Sequence, residues 1–366
     1  MGNNWKTFYT VNAVGDANCI YIARIKCLNA SCAFPFDEIL PLSTNDTPYC
    51  KRKSFMIDFG YQNDSFFSDR LKHQILDTDE FLLSHYHLDH YKGLTKIADN
   101  SLSLERIYYP FIPQMQNRYT LLRAMYFINC LDGGELIGLV RQKNATRNFV
   151  YEPVYIGKQI FDNKYEVVWP PRTIQKETKI LSDLQKGIKK IEDKLNERPV
   201  IKDIWEKFNR FPIDAHSLLF KNDHNDSLGL IKGSKNGFQQ YKETINSIRD
   251  EIRDVTNRFS VCLYKKNEFL FLGDLEKEEV AVCVRELFER NGNKPVYVKY
   301  LITPHHGTKN HYSPDVDIYL KADYIISSNG EARYNDYAKQ YGSMNCNSQI
   351  HCTNINGNFI KSAIES

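Results

Sequence analysis

Ser84-His85-Tyr86-His87-Leu88-Asp89-His90 follows directly on the apolar run Phe81-Leu82-Leu83. Three imidazoles and a carboxylate sit within six positions, a density that suggests a cation to neutralise and orient them. Side chains of an extended segment alternate with a period of two, so His85 and His87 point the same way. Both rings can therefore reach one ion. Asp89 and His90, just past the turn, can face a second. Neutral imidazole with carboxylate suits zinc, and also manganese or iron.

Around this stretch the chain alternates between strand and helix patterns. Thr7–Val11 and Asn18–Ala23 are β-prone runs divided by the turn pair Gly15-Asp16, and Ser54–Gly60 is a third strand ending in glycine. Glu80–Leu83 leads into the histidines, and a helix is expected from Gly93 to Ala98. Later strands are expected at Tyr165–Trp169, Phe259–Tyr264, Glu268–Leu272, Val296–Thr303 and Tyr324–Ser327. Lys265-Lys266-Asn267 reads as a hairpin turn. A helix carrying Val280, Val284, Leu287 and Phe288 follows Gly273-Asp274. Asn356-Gly357, a favoured tight-turn pair, predicts a final hairpin.

The segment 172–256 differs from its surroundings. Ile174, Leu181, Leu184, Ile188, Ile191 and Leu195 define one apolar stripe, and Phe238, Tyr241, Ile245, Ile248, Ile252 and Val255 define another. An antiparallel helix pair is the simplest arrangement, with a coiled-coil seam between two chains as the alternative. Lys186, Lys189, Lys190 and Lys194 then form the solvated face.

Composition sets outer bounds. With 42% hydrophobic and 25% charged residues, the 366-residue chain is expected to pack a core rather than remain disordered. A net charge of +3 is too mild to announce nucleic-acid binding, although a local basic groove is compatible with it. The nine cysteines form no C-x-x-C pair and no secretory leader is evident, so free thiols and a cytoplasmic protein are expected. No apolar run approaches the roughly 20 residues needed to span a bilayer.

Taken in order, these motifs resemble the metallo-β-lactamase superfamily. More narrowly, they resemble the branch holding the hydrolase domain of bacterial DNA-uptake (competence) channel proteins, with a choline-phosphate esterase as a more distant relative. Val11–Ala17 resembles the opening strand and Gly-Asp turn, and Ile57-Asp58-Phe59-Gly60 the strand ending in Asp-x-Gly. His85, His87, Asp89 and His90 match the signature. Val168-Trp169-Pro170-Pro171 is similar to a strand end common in the branch. Asn257–Val261 resembles its Asn-x-x-Ser strand start, with Asn225–Leu228 as a weaker competitor. Phe271-Leu272-Gly273-Asp274 and Pro304-His305-His306-Gly307-Thr308 match the two later motifs.

The resemblance implies an α/β, four-layer αββα sandwich over 1–366, with 172–256 as a helical insertion that caps the cleft. It implies two divalent ions, zinc or manganese. His85 and His87 would hold the first, Asp89 and His90 the second, and Asp274 would lie between them. One of His305 and His306 would complete the second site; His305 is favoured, leaving Asp89 and His306 for catalysis. Asp58 would orient a ligand. Paired ions about 3.5–4 Å apart bind the attacking and leaving oxygens of a displacement and ionise water near pH 7. The implied activity is phosphodiester hydrolysis on nucleic acid or a nucleotide. Hydrolysis of an ester, lactone or thioester is the alternative, as is a binding module that recruits a protein partner or a second copy through the insertion. No membrane partner is expected.

Two departures stand out. A further histidine often completes the first site in this superfamily, and only His216 and His224, inside the insertion, are available. Where relatives carry Arg-Tyr-Gly-His-Pro, this chain has Arg333-Tyr334-Asn335-Asp336-Tyr337, so Asp336 is either an oxygen ligand, a substrate contact or an exposed loop carboxylate. His306, Lys309 and Tyr86 are candidates for the general acid. His73, His311 and His351 read as surface residues.

Overall fold

The computed structural model describes residues 5–27, 50–132, 136–145, 149–174, 178–209, 242–343 and 348–364. His216, His224, the Asn225–Leu228 stretch, Phe238 and Tyr241 lie outside the described residues. The chain divides into two compact units: Met1–Phe111 with Lys143–Pro170 and Ser260–Ser366, and Ile112–Gln142 with Pro171–Phe259. The second takes in 112–142 as well as the periodic stripes.

Among the described residues the first unit is mixed α/β, with two seven-stranded mixed sheets. One sheet contains β1 (Lys6–Val11), β2 (Ile20–Cys27), β3 (Cys50–Ile57), β4 (Glu80–Leu82), β5 (Arg106–Pro110), β6 (Val150–Val154) and β14 (Phe359–Ile364), in the order β14-β1-β2-β3-β4-β5-β6. The other contains β7 (Gln159–Ile160), β8 (Tyr165–Trp169), β9 (Cys262–Lys265), β10 (Phe269–Phe271), β11 (Val296–Ile302), β12 (Leu320–Ser327) and β13 (Gln349–Cys352), in the order β13-β12-β11-β10-β9-β8-β7. Each sheet is antiparallel on one side and parallel on the other. β3 through β6 run parallel in the first, and β10 through β13 in the second. One apolar core draws Tyr9, Ile22, Phe55 and Leu82 from the first sheet and Tyr165, Leu263, Phe271 and Ile302 from the second. The sheets therefore bury their facing sides against each other.

Helical crossovers connect the parallel strands, as parallel pairing requires. α1 (Asp69–Leu76) links β3 to β4, is capped by Ser68 accepting from Leu71 N, and buries Leu71 and Ile75. Lys277–Arg290 links β10 to β11 and buries Val280, Cys283, Val284 and Leu287, a helical stripe facing inward. Lys265 pairs with Phe269 across the expected hairpin, and Asn267 adopts a left-handed φ of 60° at its turn.

Three local expectations need correcting. The helix expected from Gly93 is a short 3-10 segment, Lys92–Lys96. Asn356-Gly357 does not close a hairpin: β13 pairs with β12 and β14 with β1, so the chain crosses between sheets there. A turn signal fixes the local bend, and the flanking strands' pairing partners decide where it leads. His351 is half-buried, with its ring on Phe359 and Nε2 2.9 Å from the Gly357 carbonyl, so only His73 and not His351 fits the surface reading.

In the second unit, α2 (Arg118–Asp132), α3 (Leu136–Lys143, whose last residue falls in the first unit), α4 (Lys179–Glu197), α5 (Pro199–Asn209) and α6 (Lys242–Asn257) are helical. α4 buries Ile180, Leu184, Ile188, Ile191 and Leu195, and α6 buries Ile245, Ile248, Ile252 and Val255. Ile180 takes the buried place expected for Leu181, which is half-buried. A Cβ on Gly187 would lie 2.5 Å from Val255 Cγ2, while Lys194 Nζ is 2.7 Å from Glu251 Oε1. Later positions on α4 meet earlier ones on α6, so the pair is antiparallel and its stripes face each other within the chain. Lys186, Lys189 and Lys190 are exposed as expected, while Lys194 is half-buried where it pairs with Glu251 across the helix pair.

Cys19, Cys262, Cys283 and Cys352 are free and buried. No helix among the described residues is long and apolar enough to cross a membrane.

Candidate metal centre

Each polar residue of the cluster sits just beyond the carboxyl end of a parallel strand, where open α/β sheets place ligands. Asp58 follows β3, Ser84 and His85 follow β4, Asp274 follows β10, and His305 and His306 follow β11. Parallel pairing brings these ends to one edge of their sheets. Gly60 lets the backbone close up beneath the histidine motif: a Cβ there would lie 1.6 Å from the Asp89 carbonyl oxygen. That contact gives the Asp-x-Gly pattern a steric reason.

Asp58 is fully buried and takes a left-handed φ of 55°, which a short polar side chain tolerates. Its carboxylate accepts from Ser84 N at 2.7 Å and Ser84 Oγ at 2.6 Å, and its Oδ2 lies 2.7 Å from His90 Nδ1. In this pairing His90 Nδ1–H donates to the Asp58 carboxylate, and Nε2 is aimed inward. Burial penalises the imidazolium, but Asp58 and Asp274 outweigh it and push the His90 pKa up to about 9. Burial, with His90 and His87 adding to it, holds His85 well below its ordinary range. His85 is therefore neutral beside a charged His90.

Asp274 lies at the middle. Its Oδ2 is 3.5 Å from His306 Nε2, 3.6 Å from His90 Nε2, 3.9 Å from His85 Nε2 and 4.0 Å from His305 Nδ1. Asn18 Nδ2 donates to Oδ1 at 3.2 Å and fixes the carboxylate's orientation. Burial alone would raise the Asp274 pKa, but the imidazoles, His306 first, hold it well below the usual carboxylate range.

His85, His90 and Asp274 present ligand atoms within 4.8 Å of one another. The Nε2 atoms of His85 and His90 are buried and make no hydrogen bond. Buried polar atoms are almost always paired, so two orphaned nitrogens aimed at one buried carboxylate fit a cation ligand set. His87 and Asp89 stand at the rim. The His87 ring is 4.3 Å from that of His85, and Asp89 Oδ2 is 3.9 Å from His90 Nε2.

The adjacent histidines diverge. Both have left-handed backbones, φ 45° at His305 and φ 60° at His306, a strained conformation for such side chains. His306 Nδ1 donates to the Ser328 carbonyl at 2.7 Å and leaves Nε2 toward Asp274. His305 instead stacks on His311, ring centroids 3.6 Å apart, and groups with His311 and Glu276 as a second set able to hold an ion. Burial pushes the His305 pKa down to about 3, against the pull of Asp274. His311 is thus no surface residue: its Nε2 lies 3.3 Å from Glu276 Oε2.

Among the other candidates, Asp336 pairs with Lys309 at 2.6 Å, and the Tyr86 hydroxyl donates to the Pro110 carbonyl at 2.8 Å. Sequence reading missed Asn18, Ser84, Ser328 and Glu276. Only Glu276 carried a signal, as an acidic residue two positions after Asp274.

Comparison with protein-family models finds no match, and comparison with curated proteins finds none either. Function therefore has to be argued from the site.

Proposed function

We propose that this chain is a divalent-metal-dependent hydrolase of metallo-β-lactamase architecture, a phosphodiesterase acting on nucleic acid or a nucleotide. The observation that carries the metal reading is the buried His85–His90–Asp274 cluster with its two unpartnered nitrogens. The substrate class is supported by the motif resemblance, since fold alone does not fix function. His85, His87, Asp89, His90 and Asp274 would hold one or two zinc-class ions, with His306 as the further ligand because its Nε2 already faces Asp274. Bound there, divalent ions supply Lewis-acid stabilisation of charge developing on a phosphoryl or carbonyl group, and a nucleophilic water near neutral pH.

The chain's own residues do the positioning. Asp58 and Ser84 lock the His90 ring, Ser328 locks His306, and Asn18 locks Asp274. Such outer partners raise ligand basicity and fix ring orientation. Asp89, with a side chain 43% exposed, stands where solvent and substrate reach the cluster. In this arrangement His306 serves as a ligand and His305 is released for another role.

The test pairs elemental analysis with cleavage of bis-para-nitrophenyl phosphate by wild type and Asp274→Ala. Bound metal with cleavage lost in the variant supports the proposal. Metal without phosphodiester cleavage redirects it to esters, lactones or thioesters. Absence of both sinks catalysis and leaves a partner-binding module.

A further inference from the structure

Beside the centre lies a second convergence of donors that the hydrolase reading does not use. We propose that Glu276, His305 and His311 form an accessory, exchangeable site for a zinc-class divalent ion, separate from the His85–His90–Asp274 cluster. One ligand atom from each of the three lies within 4.8 Å of the others. They come from three places: the turn after β10, the loop after β11, and the 3-10 segment Lys309–His311.

A hydroxyl on one side and a carboxylate on the other hold the His311 ring. The Thr308 hydroxyl donates to the His305 carbonyl at 3.1 Å, so its oxygen accepts from His311 Nδ1 at 2.7 Å. Nε2 of the same ring faces Glu276 Oε2 at 3.3 Å. A nitrogen and a carboxylate at that distance are held together by a cation between them, a metal ion or a proton. His305 is 8% exposed, and its Nδ1, on the side shared with Asp274, is buried without a hydrogen-bond partner. An outer hydroxyl holding one ring nitrogen while the other faces a carboxylate is the arrangement that orients histidine ligands.

Two imidazoles and one carboxylate match open zinc sites and disfavour magnesium and calcium, which prefer all-oxygen shells. The side chains of His311 and Glu276 are 14% and 25% exposed, so an ion can enter and leave from solvent. The rings now stack with planes 5° apart. Zinc–nitrogen bonds of about 2.0–2.1 Å to both would tilt them out of that stack. The site adjoins the centre, since His305 Nδ1 is 4.0 Å from Asp274 Oδ2.

The test is calorimetric titration of chelator-treated full-length protein with zinc, for wild type, His311→Gln, Glu276→Gln and Asp274→Asn. Circular dichroism melting confirms that each variant is folded. Wild type is expected to bind one ion more per chain than His311→Gln or Glu276→Gln, and Asp274→Asn is expected to keep that ion. Equal stoichiometry and affinity in wild type and in both glutamine variants would overturn the proposal and assign the intervening cation as a proton. Zinc uptake is read directly, so a failure of phosphodiester cleavage leaves this outcome intact.

Discussion

The pKa of His90 makes metal uptake pH-dependent in a way that tests its role as a ligand. In metal-free protein Asp58 and Asp274 outweigh burial and raise this imidazole to about 9, so it carries two protons at pH 7. One is held by Asp58, and the other occupies Nε2, the atom that must bind the ion. Loading at pH 7 therefore has to release a proton about two pH units below its pKa, at a cost of roughly 2.7 kcal/mol. The affinity should rise about tenfold per pH unit from 7 to 9, about 100-fold in all, and then level off. Chelator competition between pH 7 and 10 measures the slope. Calorimetry in two buffers of different ionisation enthalpy counts the protons, about one per ion at pH 7.5 and few above pH 9.5. Affinity flat from pH 7 to 9 with no proton released would refute either the charged state of His90 or its place among the ligands.

Asp58→Asn removes the carboxylate that orients His90 and should weaken metal binding about 10–100-fold while leaving the fold intact, as chelator competition with melting curves would show. Gly187→Ala should destabilise the protein despite the roughly 1 kcal/mol that alanine gains over glycine in a helix, because the new Cβ meets Val255 Cγ2 at 2.5 Å. In a Val255→Ala background the same change should become neutral or stabilising, and a denaturant midpoint that falls as far as it does beside Val255 would count against the packing argument. Asp16 Oδ1 accepts from Gly330 N at 2.7 Å and Arg333 N at 3.1 Å, so Asp16→Ala should cost about 1–2 kcal/mol in urea unfolding.

Much of the centre was legible because its chemistry demands particular residue types at strand ends. His85, His90 and Asp274 follow apolar runs that form parallel strands, and such runs show plainly in sequence. The stripes of α4 and α6 were legible for the same reason, since helical periodicity is local. The choice between His305 and His306 was not local. It depends on two left-handed residues and on the Ser328 carbonyl, which lies 22 positions from His306. Nor could periodicity show that 112–142 joins the helical unit, because that follows from packing across the chain. His311 looked like a surface histidine because its partners, Glu276 and the His305 ring, converge only in the fold.

The orphaned nitrogens have an energetic meaning. Leaving a buried polar group unpaired costs about 1–3 kcal/mol. His85 Nε2 and His305 Nδ1 are two such atoms, roughly 2–6 kcal/mol together, against a whole-domain stability of about 5–15 kcal/mol. Apolar side chains of similar volume would remove that cost, so the fold alone gives no reason to keep imidazoles there. Water offers a weaker explanation at the centre, because His85 Nε2 and His90 Nε2 converge on a single carboxylate oxygen within 3.9 Å. One cation at that point satisfies His85, His90 and Asp274 together. The destabilisation built into the metal-free cluster is then the free energy that binding recovers, and the centre should tighten the fold as it fills.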